Sequence, residues 1–224
     1  MQFIDNGYKY TEKETIFREF FKSHVNDRTL LEKLVSKCDN YLAEHTVTLI
    51  MFIRQISQFL IDSIKNSDIY FNKEKVQHLL DLFAKKEHLY IKDLYVINSI
   101  FLLFPIEIAY LTMEYIETAL KKYGDFQSIN RLEVNLRMNY SLMLLKEGLE
   151  EMALQQLNKA LLLVKKYKLS VQMGILYIRM GVILNNLKLP EKTDYIKKGF
   201  AILEVLEETE LLASMTQEMN RYLK

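Results

Sequence analysis

A chain of 224 residues, half of them hydrophobic, can bury a large core as one elongated or two abutting domains. Its 30 basic and 29 acidic residues leave a net charge of +1, which provides no concentrated basic face for nucleic-acid phosphates. With 6 glycines, 2 prolines and no Asn-Gly or Asp-Gly turn, β-structure has little support; the single cysteine, Cys38, excludes an internal disulfide and favours a reducing compartment.

The first residues, Met1-Gln-Phe-Ile-Asp, lack the basic and apolar blocks of a signal peptide. Thr11-x-x-Glu14 has the form of a capping box ahead of Ile16, Phe17, Phe20 and Phe21, which predicts a short helix to about His24. Thr29-x-x-Glu32 repeats that signal before Leu30, Leu31, Leu34 and Val35, for a second helix to near Glu44. The pattern Ile50, Ile53, Ile56, Phe59, Leu60, Ile64 predicts a third, strongly buried helix over 46–65. Asn72 precedes a fourth, with Val76, Leu79, Leu80 and Phe83 on one side and lysines on the other. The longest apolar runs, 47–53 and 100–106, fall short of the roughly 20 residues a membrane span requires, so the expected location is the cytoplasm.

From residue 90 onward the pattern becomes regular. The only two prolines, Pro105 and Pro190, lie 43 residues before and 42 residues after Gly148, each between two apolar-periodic runs. Proline is tolerated in a helix's first turn, because its missing N–H would have had no partner there. The expected helix pairs are 90–104 with 105–123, 131–148 with 149–167, and 170–187 with 190–206. A period of about 40 residues marks stacked helix pairs, none of which can bury its apolar face alone. An all-helical bundle with evenly spaced punctuation is the alternative. In the central pair, Ala153 and Ala160 provide small side chains for close helix approach, a spacing that resembles the second helix of a tetratricopeptide (TPR) repeat. Tyr140, Ser141 and Leu144 fall where that repeat's first helix packs inward. The expected fold is all-α, a right-handed superhelix of TPR-like helical hairpins forming one domain over 1–224. In it, 1–88 are degenerate helical repeats, 89–206 the three clearer pairs and 207–224 a capping helix. Leu211, Leu212 and Met215 on that last helix have no later element to cover them, which makes 209–223, with part of 190–206, the expected dimer contact.

Chemistry-bearing motifs are absent. There is no Gly-x-x-x-x-Gly-Lys-Ser/Thr or Gly-x-Gly-x-x-Gly loop. His24, His45, His78 and His88 never pair at ligand spacing on one helix, and Cys38 has no visible base beside it. Isolated carboxylates such as Asp62 and Glu107 single out no acid–base pair. The reading is of a protein that is not an enzyme and holds neither metal nor cofactor. Lys121-Lys122 and Lys165-Lys166-x-Lys168 lie at expected helix carboxyl ends and Glu150-Glu151 at a helix start, where each complements the macrodipole.

In stacked helix pairs the first helices line a concave wall. Placing Ser99, Tyr140 and Met180 in register assigns that wall, as a candidate peptide-binding surface, to three sets of residues. The first is Leu94, Ile97, Asn98 and Phe101; the second is Asn135, Met138, Asn139 and Leu142, with Leu145 beyond. The third is Ile175, Ile178, Arg179, Val182 and Asn185, followed by Asn186. Apolar patches alternating with amides suit an extended apolar peptide, since an amide can pair with a backbone N–H and C=O while the patches take side chains. Arg179 offers a guanidinium to a carboxylate. The competing reading places the apolar residues in the core and has the amides satisfy helix ends.

The segment Leu89-Tyr-Ile-Lys-Asp-Leu-Tyr-Val-Ile-Asn-Ser-Ile-Phe101, followed by Leu103-Phe-Pro-Ile-Glu107-x-Ala109, resembles the signature segment of the carboxyl-terminal domain of Rgg/GadR/MutR regulators. The Gly7-Tyr8 linker and the helix order are similar to that family as well. The resemblance implies a Gram-positive cytoplasmic receptor, used in quorum sensing, whose repeat domain binds a short signalling peptide and dimerises. DNA would be reached only through an amino-terminal helix-turn-helix of about 65 residues, an ordinary size for that module, which this sequence does not contain. Two rival readings are an adaptor that holds a protein partner through the same surface and an inhibitor of a response regulator or phosphatase. An in-frame helix-turn-helix encoded upstream favours the regulator over both.

Overall fold

The structure is a computed structural model that describes residues 11–22, 28–66, 90–123, 127–189 and 192–223. Among the described residues it holds ten α-helices, one short 3₁₀ turn and no strand. The chain divides into two compact units, Met1–Leu103 and Phe104–Lys224. The expected helix after Asn72 and the turn at Pro190 lie outside the described residues.

In the first unit, α1 (Glu12–Lys22) opens with a reciprocal cap: the Glu14 N–H donates to Thr11 Oγ1 at 3.3 Å and the Thr11 N–H to Glu14 Oε2 at 3.1 Å. The second expected cap is not formed. Helix α2 (Arg28–Glu44) already contains Thr29, and Glu32 is taken by Arg28 Nε one turn earlier at 2.8 Å. The apolar faces of α1, α2, α3 (Thr48–Asn66) and α4 (Ile91–Ile100) then converge, burying Ile16, Leu31, Leu34, Cys38, Phe52, Ile53, Ile56 and Leu94. Each such aliphatic or phenyl side chain contributes roughly 1.5–3 kcal/mol by leaving water. Helix α4 tightens into a 3₁₀ turn over Phe101–Leu103. Phe104 precedes a proline, whose ring clashes with a helical conformation of the residue before it.

The second unit comprises α5 (Ile106–Leu120), α6 (Gln127–Lys146), α7 (Glu150–Tyr167), α8 (Ser170–Asn186), α9 (Lys192–Val205) and α10 (Thr209–Tyr222). Pro105 stands one position before the first turn of α5, and its carbonyl accepts the Ala109 N–H at 2.9 Å. Four of these helices end in the same backbone device. Gly148, Lys168, Lys188 and Glu207 each adopt positive φ (71°, 54°, 57° and 58°). The next residue's N–H then closes back onto a carbonyl five positions earlier: Leu149 to Leu144 (2.9 Å), Leu169 to Val164 (3.1 Å), Leu189 to Leu184 (2.8 Å) and Glu208 to Leu203 (3.1 Å). This 6→1 bond satisfies a helix-end carbonyl that has no partner within the helix. The device recurs every 19 or 20 residues, half of the 40-residue pair period.

Small residues set the helix spacing. Ala153 and Ala160 are fully buried, as are nearly all atoms of Tyr140, Ser141 and Leu144. Between α8 and α9 the approach is closer still: a Cβ on Gly199 would stand 2.7 Å from the Gly174 carbonyl oxygen and 2.8 Å from the Ile178 nitrogen. Only glycine lets the two backbones meet there.

The carboxyl-terminal helix corrects an expectation. Met215 is buried with Ile178 and Leu203, and Leu211 and Leu212 pack against that cluster. The three side chains expected to stay uncovered are covered by α8 and α9, because the α9–α10 turn folds α10 back onto the unit.

Candidate functional site

The expected wall residues of α4 belong to the first unit. Leu94, Ile97 and Phe101 are buried at 0, 1 and 0% exposure, and Asn98 is half-buried. Helix α4 is started by Asp93, whose Oδ2 accepts the Tyr90 N–H at 3.0 Å.

The wall residues of α6 and α8 belong to the second unit, where these two helices pack on one another. Met138, Leu142, Ile178 and Val182 are buried, with Ile178 at 0%. Ile175 packs against the cluster that α8, α9 and α10 share. Leu94, Met138 and Ile178 are thus packing residues, because each faces a neighbouring helix where an open wall was expected. The polar members remain at the boundary: Asn135, Asn139 and Asn185 are half-buried, with Asn135 and Asn139 one helical turn apart.

Arg179 joins three helices. Its Nη1 donates to the Met138 carbonyl of α6 at 2.8 Å, and its Nε and Nη2 donate to the two carboxylate oxygens of Glu218 on α10 at 2.6 and 2.8 Å. This is a bidentate fork on a side chain only about 10% exposed. The guanidinium offered by the sequence to a carboxylate does hold one, supplied by the chain itself. Two turns further along α8, Asn186 Nδ2 donates to the Tyr222 carbonyl at 2.9 Å. Lys146 lies within electrostatic reach of Glu218, Arg221 and Arg179. Desolvation pushes the Lys146 pKa down, Arg221 and Arg179 add to that push, and Glu218 opposes it.

Glu218 is the residue that sequence reasoning passed over. Leu211, Met215 and Tyr222 make the helical stripe of α10, and Glu218 stands at the one position in that stripe where a charge interrupts it. A carboxylate in an apolar stripe needs a buried cationic partner.

Among the described residues no group of three or more His, Cys, Asp or Glu gathers around a common point. No helix among them is long and apolar enough to cross a membrane.

The molecule is of the all-α class built from TPR-like helical hairpins. No family model and no curated protein matches the sequence. Among solved structures it is similar to PlcR of Bacillus thuringiensis, crystallised in complex with the peptide PapR7 and DNA. The match covers 94% of this chain and 76% of that one, with a TM-score of 0.60 and 20% sequence identity. At that identity the likeness is one of fold.

Proposed function

We propose that this chain is the regulatory domain of an Rgg/GadR/MutR-type transcriptional regulator, which binds a short apolar signalling peptide and dimerises in the cytoplasm. The observation that carries the reading is the shared fold with PlcR, a protein crystallised with a peptide and DNA, over 94% of this chain. The signature-like segment 89–109 supports the same family. DNA is reached only through a helix-turn-helix outside this sequence.

Within the second unit the peptide lies along the α6–α8 face. Its backbone is read by Asn135, Asn139 and Asn185 and its orientation by Arg179. The buried Met138, Leu142, Ile178 and Val182 fix the helices that carry these groups. Peptide N–H and C=O groups that lose water on binding need replacement partners, and an amide side chain supplies a donor and an acceptor at once.

The test is isothermal titration of the chain with short apolar peptides, compared with the Asn135→Ala/Asn139→Ala double variant. At about 1 kcal/mol for each lost hydrogen bond, affinity should fall roughly 10- to 100-fold. Unchanged affinity in a folded double variant removes the α6 amides from the site and the proposal with them.

A further inference from the structure

Two arginines are buried in the second unit, and only Arg179 draws its carboxylate solely from the carboxyl-terminal helix. Arg137 is held by Glu133, one turn back on its own helix, at 2.6 Å, by Glu117 at 2.7 Å and by Gln156 at 3.0 Å. A partner one turn back on the same helix stays within reach for as long as that helix is formed. Arg179 has no acidic residue one turn away on α8; its carboxylate comes from Glu218, 39 residues further on. The helix carrying Glu218 fully buries one residue, Met215, with Leu211, Leu212 and Met219 partly buried beside it.

Resting on the peptide-sensing reading, we propose that Arg179 is the carboxylate-receiving end of the peptide site and that Glu218 is its built-in occupant. A peptide carboxylate binds by exchanging with Glu218, and the exchange releases α10. Three features of the geometry favour this. Replacing one carboxylate by another conserves both charge and hydrogen bonds, so the high cost of an unpaired buried guanidinium is never met. The Met138 carbonyl, on α6, keeps Nη1 oriented while α10 is away. Lys146, within electrostatic reach of both Glu218 and Arg179, adds a second cation beside the guanidinium, so an incoming carboxylate is attracted to the site.

The source of the carboxylate is either the peptide's terminus or an acidic side chain. Three probes separate them on the full 224-residue chain: an apolar octapeptide with a free carboxyl terminus, its C-terminal amide, and that amide carrying one aspartate. Wild type should bind the free acid at least about tenfold more tightly than the amide, and Arg179→Met should erase that preference. Recovery of affinity by the aspartate-bearing amide assigns the site to a side-chain carboxylate; no recovery assigns it to the terminus. In Glu218→Gln the weakened occupant should raise affinity for the acid several-fold and leave the amide unchanged. The ligand-free readout is amide hydrogen exchange, in which Glu218→Gln should speed exchange in α10 at least about tenfold while α6 and α7 keep their protection. Glu218→Asp, which keeps the charge, serves if the glutamine variant fails to fold, with the same directions expected. Equal binding of acid and amide by wild type overturns the exchange and leaves peptide sensing standing. Binding of none of the three overturns both. Unchanged α10 exchange in a folded variant overturns the role given to Glu218.

Discussion

The two units bury helix faces by different means. In the first, the ion pairs Arg28–Glu32, Lys37–Glu19 and Arg54–Asp39 lie at the surface, with side chains 39–51% exposed. Its interior is mostly aliphatic and aromatic, with one thiol, the Ser57 hydroxyl and the Asp93 carboxylate, which caps its own helix. The second unit takes two guanidiniums inside, each about 10% exposed and each spanning three helices. An apolar contact tolerates sliding, whereas a forked hydrogen bond fixes one register. The two buried guanidiniums therefore give the second unit discrete stations at which a helix is either docked or not.

The largest effect that tests this contrast is expected at Arg137. Arg137→Met leaves the part-buried Glu133 and Glu117 without their guanidinium, with Lys159 at 3.9 Å from Glu117 as a distant substitute. The expected loss is about 3–5 kcal/mol in urea denaturation. The matching change in the first unit, Arg54→Met, should cost about 1 kcal/mol or less, because an exposed pair is screened by water. Equal losses at the two positions would erase the distinction between the units.

An intermediate effect belongs to the thiol of the first unit. Cys38 is fully buried, and desolvation, aided by the neighbouring Asp39 charge, pushes its pKa from 9.0 up to about 12. The fold thus prefers the neutral thiol. That contribution to stability is complete below pH 9 and is lost as pH rises from 9 towards 12, amounting to about 1.4 kcal/mol by pH 10. The difference in stability between wild type and Cys38→Ala should narrow over this window. At pH 8 the native thiol should react with a disulfide reagent at least about a hundredfold more slowly than in urea. Native labelling at the rate of a free cysteine would place Cys38 outside the core.

The pair rhythm was legible because Pro105 and Gly148 punctuate it, and the alanines of α7 betrayed its close packing. The finer rhythm of 19 or 20 residues was not, since three of the four positive-φ positions are Lys168, Lys188 and Glu207, residues with no preference for that conformation. Helical periodicity also reports that a side chain faces away from solvent on its own helix without saying which neighbour covers it. For that reason Leu94, Met138 and Ile178 read as an open wall, and Leu211 and Leu212 as an uncovered edge. Thr29-x-x-Glu32 misled for a related reason: the motif was complete, but Arg28 gave Glu32 a partner within the helix. Glu218 was visible as a break in the α10 stripe, yet its partner on α8 is 39 residues away and no local pattern links them.

The smallest effect sharpens the contrast at the level of the backbone. The helix ends of the second unit depend on positive φ, and a side chain there meets steric strain of about 1 kcal/mol. Gly148→Ala should therefore cost about 1 kcal/mol, although a Cβ there has open space and no atom nearer than Glu150 Oε2 at 4.0 Å. Lys188→Gly relieves the same strain but adds chain entropy to the unfolded state, so the net gain should be a few tenths of a kcal/mol. Thermal unfolding of the two variants should shift in opposite directions and unequally. A destabilised Lys188→Gly would mean that the lysine side chain, and not the backbone bond from Leu189 to Leu184, holds the end of α8.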